Sequence, residues 1–230
     1  MSDLEAEKAL AAARAVEEVR DGMLVGLGTG STAAYAVRRL AERIAGGLRI
    51  TGTATSRATE TLAGELGIPL VAFDRVARVD LTIDGADEID PQLCAIKGGG
   101  GALLREKIVA AASDRVIVVG DSTKPVSRLG RFRLPVEAIP FAAAFVQDRL
   151  AAFGVPVTLR LKGIEPFLTD QGNHIFDIAF ESIADRQAVA AALEAIPGVV
   201  EHGLFLDEID TAVIARGTKI DIMQRQGGSQ

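Results

Sequence analysis

Residues 80–107 read DLTIDGADEIDPQLCAIKGGGGALLREK. The segment opens on DLTIDG (80–85), an apolar run that reads as a buried strand. Asp84, Asp87, Glu88 and Asp90 then crowd a short turn, and Lys97 precedes four consecutive glycines. ALLREKIVAAAS (102–113) follows as a helix. Strand, glycine-rich loop and helix form half of a parallel βαβ unit. The flanking sequence repeats the pattern. MLVGLG (23–28), RITGTATS (49–56), IPLVAF (68–73) and RVIVVGD (115–121) read as strands. Helices are expected in the run TGSTAAYAVRRLAERIAGG and over 58–67. Ser2 and Glu5 resemble a capping box, opening a helix whose face runs through Leu4, Ala11 and Val16 to about Arg20. Strands alternating with helices predict a Rossmann-like α/β fold, a parallel sheet with helices on both faces.

The pattern changes near residue 130. Two prolines in RLGRFRLPVEAIP mark a new unit, and helices are expected over 141–154 and 185–198. Between them VTLRLKG and PFLTD-QGN-HIFDIAF read as a hairpin turning at Gln-Gly-Asn. A small α+β, ferredoxin-like domain is expected over 131–204. The α/β catalytic domain would comprise 1–130 and 205–230, with TAVIARG returning as a strand and QRQGGSQ as a polar, frayed tail.

Composition narrows the function. The chain has 230 residues, 48% hydrophobic, enough for a substantial core. A net charge of −6 argues against nucleic acid as a partner, and 4% aromatic content with no Trp argues against base stacking. No apolar run reaches the length of a membrane span, so no membrane partner is expected. The charged N-terminus lacks a signal peptide's apolar core, and one cysteine, Cys94, fits a reducing cytoplasm. His174 and His202 have no partners at metal-ligand spacing, so no metal is expected.

Four strand ends carry candidate chemistry. GLGTGST (26–32) leads from strand to helix, where backbone N–H groups and the helix dipole attract an anion. On its own it also reads as a plain βα turn. Asp84 and Asp87 converge three residues apart and could bind hydroxyls or move a proton, or form a solvated turn. Lys97 could stabilise a negative oxygen, and the glycines admit a ligand against the backbone. Glu106 could be a base, or a carboxylate favoured by the helix N-terminus. Lys124, in GDSTK (120–124), adds a cation at the same sheet edge. In open parallel sheets ligands sit at the carboxyl ends of strands, and a hydroxylated anionic small molecule fits this set.

Taken in order, GLGTGSTA, TATSRAT, DGADEID, KGGGGALLREKI and GDSTK resemble the motifs of the A-type ribose-5-phosphate isomerase family. PVEAIP, GNHIFD and IPGVVEHGLF are similar to its later segments. The resemblance covers nearly the whole chain. It implies interconversion of D-ribose 5-phosphate and D-ribulose 5-phosphate in the non-oxidative pentose phosphate pathway, without cofactor. It also implies a homodimer or homotetramer. By position it implies Glu106 as the base between C1 and C2, with Asp84, Asp87 and Lys97 at the reacting end. Thr29, Gly30, Ser31, Thr32, Gly85, Ala86, Gly98, Gly99, Gly100 and Lys124 would bind substrate, with Lys8 near its phosphate. The residue chemistry points the same way. A hydride shift between carbons usually wants a metal, whereas an enediol route wants one carboxylate base and donors at the two oxygens. A sugar-phosphate deaminase and a sugar-phosphate sensor on a related fold are the rival readings. The absence of a basic helix-turn-helix segment argues against the sensor.

Overall fold

The computed structural model describes residues 3–225, so Ser2 of the expected capping box and most of the polar tail lie outside the described residues. Helix α1 (Asp3–Val16) leads into β1 (Leu24–Leu27), α2 (Ser31–Ala45), β2 (Thr51–Ala54), α3 (Arg57–Glu65) and β3 (Leu81–Gly85). Two short strands, β4 (Glu88–Ile89) and β5 (Ala95–Ile96), precede α4 (Leu103–Ala111) and β6 (Val116–Gly120). The next stretch comprises β7 (Leu134–Ala138), α5 (Ala143–Ala151), β8 (Val157–Leu159), the hairpin β9 (Leu161–Lys162) and β10 (Glu165–Pro166), and β11 (His174–Ile178). Helix α6 (Arg186–Glu194), β12 (Val199–His202), β13 (Leu204–Phe205), β14 (Thr211–Arg216) and β15 (Lys219–Gln224) complete the chain.

The main sheet runs β15-β14-β6-β3-β1-β2. Five strands are parallel and β15 is an antiparallel edge. Every residue of β6 is buried, as expected of a strand covered on both faces. Ile117 and Val119 join α1 and α2 in one core, whereas Val116 and Val118 join Ala110 of α4 and Phe205 in another. The α/β, Rossmann-like class is therefore present, with helices on both faces.

The run 68–73 departs from expectation. Only Leu70 bridges to Gly52, and the chain then enters a 3-10 turn at Phe73–Arg75. Pro69 has no N–H to extend a ladder beside the sheet's last strand.

The second sheet is antiparallel, ordered β12-β7-β11-β8. With α5 and α6 it has the β-α-β-β-α-β order of a ferredoxin-like unit. Its first strand, LPVEA, is where the prolines suggested only a boundary. Pro135 is tolerated because the Gly203 carbonyl facing it accepts from Lys97 N (2.9 Å) instead, while the Pro135 carbonyl still accepts from Gly203 N (2.8 Å). The expected turn at Gln-Gly-Asn exists, closed by Gly172 N donating to Thr169 O (2.9 Å). β11, in HIFDIAF, pairs antiparallel with β8, in VTLRLKG, and also with β7, whereas PFLTD adds only Pro166 to the small β9–β10 hairpin.

Space is tight where β1 meets β3. A Cβ on Gly26 would lie 1.9 Å from Thr82 Oγ1 and 2.9 Å from Val109 Cγ1. Gly26→Ala is expected to destabilise the fold by about 1–3 kcal/mol. Urea denaturation measures this; an unchanged midpoint would contradict the packing described.

Candidate active site

The carboxyl ends of β1, β3 and β6 converge with the glycine loop on a narrow cleft of about 80 Å³. It is lined by Thr29, Gly30, Ser31, Thr32, Gly85, Ala86, Asp87, Lys97, Gly98, Gly99, Gly100, Glu106 and Lys124. Two other expected residues lie elsewhere. Asp84 is directly behind Lys97, outside the lining. Lys8 is on α1, where its ammonium meets Glu5 Oε1 at 2.7 Å, and it does not line the cleft. A larger cavity of about 540 Å³ lies against Ile108, Val109 and Phe73. It contains none of Asp84, Asp87, Lys97 or Glu106, so the smaller, charged cleft is the candidate site.

At the base of the cleft three charges share one buried place. Lys97 Nζ lies 3.0 Å from Asp84 Oδ2 and 3.4 Å from Glu106 Oε2, and all three side chains are at most 5% exposed. The ammonium also donates to Gly85 O. Burial opposes the charge on Lys97, but Asp84 and Glu106 outweigh it and hold its pKa above the ordinary lysine value. Glu106 shows the opposite balance. Burial, with Asp84 and Asp87 adding to it, exceeds the pull of Lys97 and pushes the carboxyl up to about 8. Its Oε2 has no hydrogen-bond partner among the described residues. A buried carboxyl poised near neutrality is suited to taking and returning a proton.

Asp84 is fixed by backbone: its Oδ1 accepts from Thr29 N (2.9 Å) and Gly85 N (2.7 Å). Gly28 makes room, since a Cβ there would sit 2.2 Å from Asp84 Oδ1. Asp87 Oδ2 accepts from Gly99 N at 2.8 Å. The four glycines have distinct reasons. Gly98 and Gly101 have φ of 100° and 80°, and a Cβ on Gly99 would lie 2.6 Å from Asp87 Oδ1. Gly100 has only the Thr29 methyl nearby, at 3.6 Å.

The opposite wall is the start of α2, with Lys124 also lining the cleft. No side chain caps α2 at Gly30 and its first turn has no acid, so its N-terminal N–H groups remain available. Lys124 stands beside it. Gly120 leaves room for the Lys124 stem, as a Cβ would fall 3.0 Å from Cγ.

Several residues that hold the cleft in place have no role of their own in the expected site. The Thr29 hydroxyl donates to Ser56 Oγ (2.8 Å), which donates to Thr59 Oγ1 (3.1 Å), which donates to Gly28 O (2.9 Å). The Thr29 side chain is thus committed to protein, and TATSRAT supplies its partners. Glu7 is buried on α1 and accepts from Ser122 N (2.8 Å) and Gly217 N (2.6 Å), fixing the turn that carries Lys124. Arg160, between β8 and β9, reaches the carbonyls of Gly98 and Gly99 at 2.9 and 3.2 Å. Among the described residues no three His, Cys, Asp or Glu side chains are grouped so as to hold a metal ion. No helix among them is long and apolar enough to cross a membrane.

The family model for ribose 5-phosphate isomerase A (phosphoriboisomerase A) matches residues 51–219. The chain belongs to the ribose 5-phosphate isomerase A family. The ribose-5-phosphate isomerase A of Sphingopyxis alaskensis is 63% identical over 225 residues, covering 98% of this chain and 99% of the relative. That of Bradyrhizobium diazoefficiens is 51% identical, covering 95% of each. Among solved structures, ribose 5-phosphate isomerase from Plasmodium falciparum superimposes with a TM-score of 0.94 at 35% identity, over 97% of this chain and all of that one. A D-ribose-5-phosphate isomerase in complex with phospho-erythronic acid gives 0.93 at 36%, over 96% and 99%. The family's fold is thus matched across both sheets.

The raised Glu106 pKa has a measurable consequence for stability. The folded state holds this proton more tightly than the unfolded chain, whose ordinary value is 4.5. That contribution is complete below the unfolded value and is lost as pH rises through about 8. Glu106→Gln should therefore gain in melting temperature relative to wild type as pH rises from ~5 to ~9. A difference that stays flat across this window would show that the carboxyl titrates normally.

Proposed function

We propose that the protein interconverts D-ribose 5-phosphate and D-ribulose 5-phosphate by proton transfer through an enediolate. The observation that carries the reading is Glu106, a buried carboxyl poised near neutrality, 3.4 Å from a buried ammonium in a cleft lined by the start of α2 and by Lys124. The relative solved with phospho-erythronic acid, a phosphorylated sugar acid, supports a sugar phosphate as the ligand.

In the open-chain aldose, Glu106 takes the C2 proton and the bond electrons move toward C1, leaving negative charge on O1. Lys97 stabilises that oxygen, held in place by Asp84. Asp87 lines the cleft, so it is the carboxylate placed to move a proton between O1 and O2. Glu106 then returns its proton to C1, and O2 becomes the ketone. Each proton taken is given back, so the step is balanced without an outside oxidant or reductant. Asp84 acts through Lys97. The phosphate takes the N-terminus of α2 and Lys124.

The experiment is conversion of ribose 5-phosphate to ribulose 5-phosphate by wild type and Glu106→Gln. The variant should lose about 10²–10⁴-fold in kcat, the usual worth of a positioned base. Near-normal turnover would remove Glu106 from the role. The acid limb of kcat/KM for wild type should report a group near 8, with activity rising as Glu106 ionises. Lys124→Ala should raise KM about tenfold or more with a smaller change in kcat; an unchanged KM would overturn the phosphate assignment.

The protein is further taken to act as a homodimer or homotetramer in the cytoplasm. Phe141 and Ile164 are 98% and 91% exposed, apolar area that a second copy would take out of water. The single cysteine, Cys94, is free and buried, in keeping with a reducing compartment. Light scattering on the purified protein gives the mass; a monomer at micromolar concentration would contradict the assembly.

A further inference from the structure

We infer that Arg160, in the one-residue link between β8 and β9, is a positioning residue that sets Asp87 through one peptide unit of the glycine loop. The inference rests on the isomerase reading, in which Asp87 moves the proton between the sugar oxygens.

Arg160 is held before it reaches the loop. Its backbone N donates to Ile175 O (2.8 Å) and its carbonyl accepts from Phe167 N (2.9 Å). Its Nε and one terminal nitrogen fork onto Asp177 at 2.9 and 2.5 Å, with both side chains 16% exposed. Such bidentate, partly buried pairs fix orientation as well as charge. The remaining nitrogen, Nη1, donates to Gly98 O and Gly99 O at 2.9 and 3.2 Å. Gly98 O also accepts from Gly101 N at 3.0 Å.

The peptide joining Gly98 to Gly99 is thus gripped at both ends. Its carbonyl oxygen faces the guanidinium, and its N–H donates to Asp87 Oδ2 at 2.8 Å. A cation on the carbonyl polarises the amide and strengthens the N–H as a donor, as in any hydrogen-bonded chain. The order Asp177, Arg160, peptide, Asp87 therefore transmits both position and charge into the cleft. The need is specific to this loop. A run of glycines has little conformational preference of its own, so the peptide plane that serves Asp87 must be selected from outside. Phe167 assists, since its ring occupies the place a Gly101 Cβ would take, at 2.5 Å.

The test is a double-mutant cycle on ribose 5-phosphate isomerisation with Arg160→Ala, Asp87→Ala and both, alongside Arg160→Lys. Misplacing a reacting group by about 1 Å costs about 100-fold in rate, so Arg160→Ala should lose roughly 10–100-fold, chiefly in kcat. In the Asp87→Ala background the same change should cost less than about twofold, because the group it positions is gone. Arg160→Lys keeps a charge but not the fork, and should recover less than half of the lost activity on a logarithmic scale. Losses that multiply independently would overturn the inference, as would a Lys variant at wild-type kcat. If Arg160→Ala does not fold, the cycle is run with Arg160→Lys, and equal losses in both backgrounds overturn the inference. Failure of the isomerase reading is seen separately, as a wild type that does not turn over.

Discussion

One buried ammonium organises the site. Lys97 sits 3.0 Å from Asp84 and 3.4 Å from Glu106 with almost no solvent. Removing charges from water is costly, and a buried cation without partners would cost several kcal/mol. The surrounding chain answers that demand. Asp84 receives two backbone N–H groups, Gly28 leaves room for it, and the Gly85 carbonyl gives the ammonium a second acceptor. Glu106 Oε2 has the ammonium at 3.4 Å but no hydrogen bond of ordinary geometry. Asp84 and Gly85 take two of the ammonium's three N–H groups, the third is left for the cleft, and the glutamate is held less well than the lysine.

Much of this was legible because it is local. DLTIDG and RVIVVGD carry continuous apolar runs, and buried parallel strands require them. The sites at their ends follow from the topology, because side chains just past such strands share one edge of the sheet. Four adjacent glycines are also a local sign. Two answer to positive φ and one to the approach of Asp87, with the last left open beside the cleft.

What escaped depends on partners far along the chain. Strands β4, β5 and β13 are two residues each, and no periodicity can show in two residues. LPVEA is a strand despite Pro135 because Lys97, 38 positions earlier, donates to the Gly203 carbonyl that the missing N–H leaves open. Conversely, IPLVAF has strand composition but finds one bridge. Lys8 was placed by resemblance alone, and the structure pairs it with Glu5, one helical turn away. Nothing near Arg160 marks it, since its significance lies in carbonyls 61 and 62 positions earlier.

The connection between Lys97 and the far end of the chain bears on when activity can arise. The Lys97 amide donates to Gly203 O at 2.9 Å, and β14, residues 211–216, lies between β6 and the edge strand. Both contacts span around a hundred residues and close late, because distant segments pay a larger loop-closure entropy. During synthesis, the first 130 residues can collapse and form local helices and the β4–β5 pair, yet the lysine's amide N–H lacks its partner until residue 203 is available. A nascent chain still missing its last quarter is therefore expected to carry every residue of the cleft without the geometry that makes them work together.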